Sequence, residues 1–227
     1  MLDDIEKLED TISLKSMGPD AFTLAIPSTL NLAFVSVVKK LWRREFPELH
    51  LEMLEGENDE IRHWLASGAA GAGIIIDPTD KDCLGRWYEL YNDVYVGIVR
   101  IDHPLSSETV VRTAEFLDNR VGLSDSGCRT EVEAFGRAAD PEFAPDPLVR
   151  DIAALLTLVR SGSIVTVFPS TCETILPSGV MMINLDPRIS RRLVAVSHAK
   201  LSSAKVQIFH ELISTFRNLE LDERILA

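Results

Sequence analysis

A chain of 227 residues, 46% hydrophobic and 26% charged, has the make-up of a soluble globular protein and can form one large domain or two smaller lobes. Its formal net charge of −12 argues against a surface that grips a phosphate backbone unaided, since that needs clustered Lys and Arg. No apolar run is long enough to span a bilayer, and the amino terminus opens on Asp and Glu instead of a basic-then-apolar leader, so the chain reads as cytoplasmic with no membrane contact.

Met1 to Ser16 sets Leu2, Ile5, Leu8 and Ile12 on one stripe, which predicts an amphipathic helix in need of a partner. Gly18-Pro19 ends it. Phe22 to Ile26 is a short apolar strand, closed by Pro27-Ser28-Thr29. There Ser28 or Thr29 can cap the next helix, whose apolar positions include Leu32, Val35, Val38, Leu41 and Trp42. Leu49 to Leu54 alternates as a strand, a helix carries Ile61, Trp64 and Leu65 up to Gly68, and Ala72 to Ile76 is a continuous apolar strand. Strand-helix-strand-helix-strand is the pattern of a parallel sheet with right-handed crossovers.

Beyond Asp77-Pro78, Arg86–Tyr91 and Val94–Val99 read as two strands. A second α/β cycle follows: a helix near Val111–Leu117, a strand Arg120–Leu123, the loop 124–128 and a helix from about Arg129. A strand near Pro147–Arg150, a helix Ile152–Val159 and a buried strand Ile164–Phe168 continue it. Val180–Leu185 and Arg192–Val196 are late strands, and Val206–Phe216 is a closing helix. Two such cycles linked by extended segments predict two Rossmann-like α/β lobes with a cleft between them, joined by two crossover strands.

Chemistry-bearing clusters are sparse. Cys83, Cys128 and Cys172 have no CxxC spacing, and the five histidines form no HxxxH or HExxH pair, so no disulfide framework, metal site or cofactor is expected. Gly68, Gly71 and Gly73 precede a strand where a dinucleotide fingerprint would follow one. Gly122, Ser124 and Gly127 miss the spacing of a nucleophile elbow. The basic pairs Lys39-Lys40, Arg43-Arg44 and Arg191-Arg192 read as solvated helix faces and strand ends. No constellation supports an enzyme.

Four local patterns carry a resemblance. Phe46-Pro47-Glu48-Leu49 leads into Leu51-Glu52-Met53-Leu54-Glu55-Gly56; Leu65-Ala66-Ser67-Gly68 precedes an apolar strand; then come Asp102-His103-Pro104-Leu105 and Leu158-Val159-Arg160-Ser161-Gly162-Ser163-Ile164 with Phe168-Pro169. In this order, from about Phe22 to Leu219, the chain resembles the effector-binding domain of LysR-type transcription regulators, which has the type 2 periplasmic-binding-protein fold. Two departures stand at Ala70-Gly71, where the family usually has Leu-Asp, and at Ser163, where it has a second glycine.

The resemblance implies a residual linker helix over 1–19, lobe I over 20–97 and 195–227, and lobe II over 98–194. It implies a sensor that responds to a small-molecule effector, pairs as a homodimer or homotetramer, and reaches DNA only through a winged helix-turn-helix head missing from this sequence. A transporter's solute-binding protein, which shares the fold, is the alternative. In such folds ligands sit beyond the carboxyl ends of strands, where helix N-termini favour an anion, so the expected effector is an anionic metabolite. The turns that resemblance places around it contain Ser28 and Thr29; Asn58; Ser126, Gly127, Cys128 and Arg129; and Phe168, Pro169 and Ser170. Plain helix capping is a compatible role for Ser28, Thr29, Asn58 and Ser170. A cysteine at a helix start can have a lowered pKa, and one branch of the family senses peroxide with a cysteine near this loop and a second a few residues on. No second cysteine follows Cys128 before Gly136, so a cleft-lining or inert thiol is the expectation.

Overall fold

Ala21–Pro27 (β1) reads AFTLAIP and is buried along its whole length, which places it inside a sheet covered on both faces. In the computed structural model, which describes residues 21–30, 32–79, 85–125 and 127–220, the chain divides into two units. One holds the chain up to Tyr91 and again from Arg192, and the other holds Asn92–Arg191. The chain thus passes from one unit to the other at 91/92 and 191/192. The amphipathic helix expected over Met1–Ser16 lies outside the described residues, as does Ser126.

The first unit continues through Leu32–Glu45 (α1), His50–Gly56 (β2), Asn58–Ser67 (α2) and Ala72–Ile76 (β3). β1 pairs in parallel with β2 on one side and β3 on the other, as the alternation of strand and helix predicts. Period-two alternation then sorts the core. Phe22, Leu24, Ile26, Ile74 and Ile76 point to one face and meet Phe34, Val38, Leu41 and Trp42 of α1. Ala25 and Ile75 point to the other and meet Ile61 and Leu65 of α2. Phe22 lies 5.1 Å from Trp42, centroid to centroid, in a tilted pair. Gly68 stops α2 with φ of +80°, a left-handed cap that glycine takes without a Cβ penalty.

Trp87–Arg100 (β4) carries the chain across. It is one strand where the sequence suggests two, because Asn92-Asp93 continues the extended backbone instead of turning. The second unit then holds the one-turn 3-10 segment Pro104–Ser107, Val110–Arg112 (β5), Thr113–Leu117 (α3), Leu123–Ser124 (β6) and Arg129–Ala139 (α4). Leu148–Val149 (β7), Ile152–Arg160 (α5), Thr166–Pro169 (β8), the 3-10 segment Ser170–Ile175 and Val180–Asp186 (β9) complete it. The helix expected from Val111 starts later, since Val110–Arg112 pairs with β9 in register Val111↔Leu185. β4 lies antiparallel to both β8 and β9. Tyr95 and Val99 face a core shared with Phe116, Val121, Leu123 and Val132, while Val96 and Ile98 face Leu155, Leu156 and Val159 of α5. Gly97 leaves room for the Phe116 ring, which a Cβ there would meet at 2.4 Å.

Ser190–Ser197 (β10) returns the chain to the first unit, antiparallel to β3, and Ser203–Glu220 (α6) closes it with Phe209, Leu212 and Ile213 packed beside α1.

Candidate functional site

In the first unit the parallel register sets Pro27 opposite Gly56, so the turns after β1 and β2 are neighbours. The Ser28 N–H donates to the Gly56 carbonyl at 3.3 Å, and the Ser28 hydroxyl donates to Glu57 Oε1 at 3.1 Å. Glu57, not Asn58, caps α2. Its carboxylate accepts the backbone N–H of Glu60, and the Glu60 carboxylate accepts the Glu57 N–H at 2.8 Å, a reciprocal capping box. Asn58 is the first helical residue and latches the end of β3: its Nδ2 donates to the Ile76 carbonyl at 2.9 Å and its Oδ1 accepts the Ile76 N–H at 3.0 Å. Thr29 is buried, 4% exposed. Ser28 and Asn58 therefore gather at the carboxyl ends of parallel strands, with a carboxylate in their midst.

In the second unit Gly127 takes φ of +75° and leads into α4. Cys128 occupies the cap position without a capping hydrogen bond and is 3% exposed. Burial pushes its thiol up to about 12, the reverse of the lowering a helix start can give. The Arg191 charge pulls the other way, while Cys172 and Glu131 add to the rise. Arg129 is held by Glu133 at 2.6 Å and by Asp125, and these two carboxylates raise its pKa and offset its charge. Phe168 and Pro169 lie on β8, opposite Val96 and Tyr95, with Phe168 buried against α5.

Ser170 leads to the residues that sequence reasoning missed. Its hydroxyl donates at 2.7 Å to Asp93 Oδ1, and the Thr171 hydroxyl donates at 2.8 Å to Asp93 Oδ2. Arg191 approaches Oδ2 with Nε at 3.2 Å and Nη2 at 3.0 Å, and both side chains of this ion pair are 0% exposed. The Arg191 guanidinium also lies 5.8 Å from the centroid of the Tyr95 ring. The one available signal for Asp93 was an acid set directly before the apolar run Val94 to Val99. The same geometry brings Cys128 and Cys172 within electrostatic reach of Arg191, and burial pushes Cys172 up to about 11. Among the described residues no group of His, Cys, Asp and Glu is placed to hold a metal ion, and no helix is long and apolar enough to cross a membrane.

Residues 19–217 match the family described as the LysR substrate binding domain. The chain is 25% identical over 217 residues, 93% of its own length and 73% of the relative's, to an uncharacterized HTH-type transcriptional regulator, YvbU, of Bacillus subtilis strain 168. The reduced OxyR regulatory domain of Pseudomonas aeruginosa shares its fold with a TM-score of 0.71 at 16% identity, covering 87% of this chain and 94% of that one. The Synechocystis CcmR regulatory domain, solved in complex with 2-PG, gives 0.73 at 17% identity over 87% and 98%. A full-length BenM mutant gives 0.76 at 20% identity over 98% and 75%. The fold is thus the type 2 periplasmic-binding-protein-like architecture of these regulatory domains, and the chain belongs to the family of LysR substrate-binding domains, the effector-sensing part of transcription regulators.

Proposed function

We propose that this chain is a sensor, not a catalyst, of a cytoplasmic LysR-type regulator. It binds a small-molecule effector, works as a homodimer or homotetramer, and acts on DNA through a winged helix-turn-helix head carried outside this sequence. The observation that carries the reading is the family match over residues 19–217, supported by a helical-head regulator as a relative. It also separates the chain from solute-binding proteins of similar fold. The net charge of −12 fits a part that leaves phosphate contact to another domain. An effector can switch such a protein only by binding one arrangement more tightly than another.

The effector class we propose is an anionic metabolite. Support comes from the start of α2, where helix N–H groups and their partial positive charge meet the carboxyl ends of parallel strands beside Ser28, Thr29 and Asn58. Glu57 already accepts the Ser28 hydroxyl there, so the effector's acid group competes with a half-buried side chain of the protein itself. Thermal-shift titration with metabolite carboxylates and their neutral amides tests the class. Saturable stabilisation by an acid and not by its amide is expected; stabilisation by neutral ligands alone would overturn the anion reading.

A further inference from the structure

The Asp93 carboxylate is surrounded as a bound ligand would be. Oδ1 accepts the Val94 N–H at 2.8 Å, the Ser170 hydroxyl at 2.7 Å and the Thr171 N–H at 3.4 Å. Oδ2 accepts the Thr171 hydroxyl at 2.8 Å and two nitrogens of Arg191, at 3.2 and 3.0 Å. Two hydroxyls, two backbone N–H groups and a guanidinium form the donor set with which proteins hold a free carboxylate. This set is drawn from β4, the turn after β8 and β10, all within the second unit, and it is closed to solvent at both charged side chains.

We propose that the Pro169-Ser170-Thr171 turn is a carboxylate-binding site filled by the chain's own Asp93, and that Asp93 is the residue that bars an effector's acid group from this turn. Tethering gives the internal carboxylate a high effective concentration against any acid in solution. Each donor that could turn to an effector is already committed, and displacing Asp93 would leave a buried anion without partners. The acid group of an anionic effector is therefore recognised elsewhere, and effector selectivity at this turn is against anions. That last consequence rests on the sensor reading; the site itself does not.

Asp93→Gly tests the site, because it removes a group the size of acetate. In chloride the variant is expected to melt on the order of 10 °C below the parent chain. Acetate at matched ionic strength is expected to restore several degrees with saturation, acetamide to restore none, and the parent chain to respond to neither. Adding Ser170→Ala and Thr171→Val to the variant is expected to abolish the acetate response. If Asp93→Gly does not fold in chloride, its refolding yield in acetate against chloride is the readout, and a higher yield in acetate supports the site. Equal behaviour of the variant in acetate and chloride, or equal acetate stabilisation of parent and variant, overturns the proposal. Acetate binding is read without any effector, so a failed effector screen and a failed acetate response are separate results.

Discussion

Arg191 and Arg192 are adjacent in sequence and opposite in fate. Arg192 is 43% exposed and reaches Glu89 at 3.5 Å, as a solvated strand-end cation should. Arg191 has no exposed side-chain surface and pairs with an acid 98 positions earlier. A single sequence could not distinguish them, because the partner of a buried charge is set by strand pairing and not by local pattern. Replacing Arg191 with Met leaves the Asp93 carboxylate buried with neutral donors only, two hydroxyls and two backbone N–H groups, and urea denaturation is expected to show a loss of about 3–5 kcal/mol. A loss near zero would mean that the pair is already hydrated. Asn58 is legible as a cap-type residue, yet its role is the latch on Ile76. Asn58→Ala orphans both an N–H and a carbonyl, and about 1–3 kcal/mol of lost stability is expected in the same assay. The Cys128 thiol gives a pH prediction. Its folded pKa, near 12, lies above the ordinary 9.0, so its contribution to stability is whole below about pH 9 and is lost as pH rises towards 12. Stability measured from pH 8 to 11 should fall less steeply in Cys128→Ala than in the parent chain, and parallel curves would place the thiol in water.

Among the elements, parts of the motifs that first gave the resemblance turn out to be turn chemistry. In Asp102-His103-Pro104, the His103 ring accepts the Leu105 N–H at 3.2 Å and Pro104 opens the 3-10 segment, where its missing N–H costs nothing. Gly68 and Gly162 take positive φ at helix ends, +80° and +76°. Such signals are local, which is why most strands and helices were readable from the chain, β1, β3 and α2 most clearly. The errors sit where tertiary pairing overrides local pattern. Asn92-Asp93 looks like a break but stays extended, since Asp93 finds its donors in the turn after β8 and on β10. Val111 looks like a helix start but pairs with Leu185. One strand position tests the packing directly. Gly97→Ala drives a methyl into the Phe116 ring, and differential scanning calorimetry should record a loss of about 1–3 kcal/mol. A neutral result would mean that α3 yields freely.

For the whole molecule, what the sequence could convey and what it could not divide along the same line. The order of elements and four local motifs sufficed for the family. The turns proposed for ligand contact could be listed from the sequence, but the acids at them, Glu57 beside Ser28 in the first unit and Asp93 beside Ser170 in the second, could not, nor could Arg191, which pairs with Asp93. Acidic groups occupy the side-chain donors at two of those turns and flank Arg129 at a third, so a sensor with a net charge of −12 has carboxylates of its own at the places where a ligand acid was expected. The proposed pairing of copies predicts a dimer or tetramer in light scattering behind size exclusion; a strictly monomeric mass at high concentration counts against it. Effector sensing is tested by the melting temperature of this chain against small-molecule fractions of a cell extract, separated on an anion-exchange resin. A retained, anionic fraction is expected to raise the melting temperature in a saturable way. Flat melting curves across every fraction, retained and unretained, would contradict it.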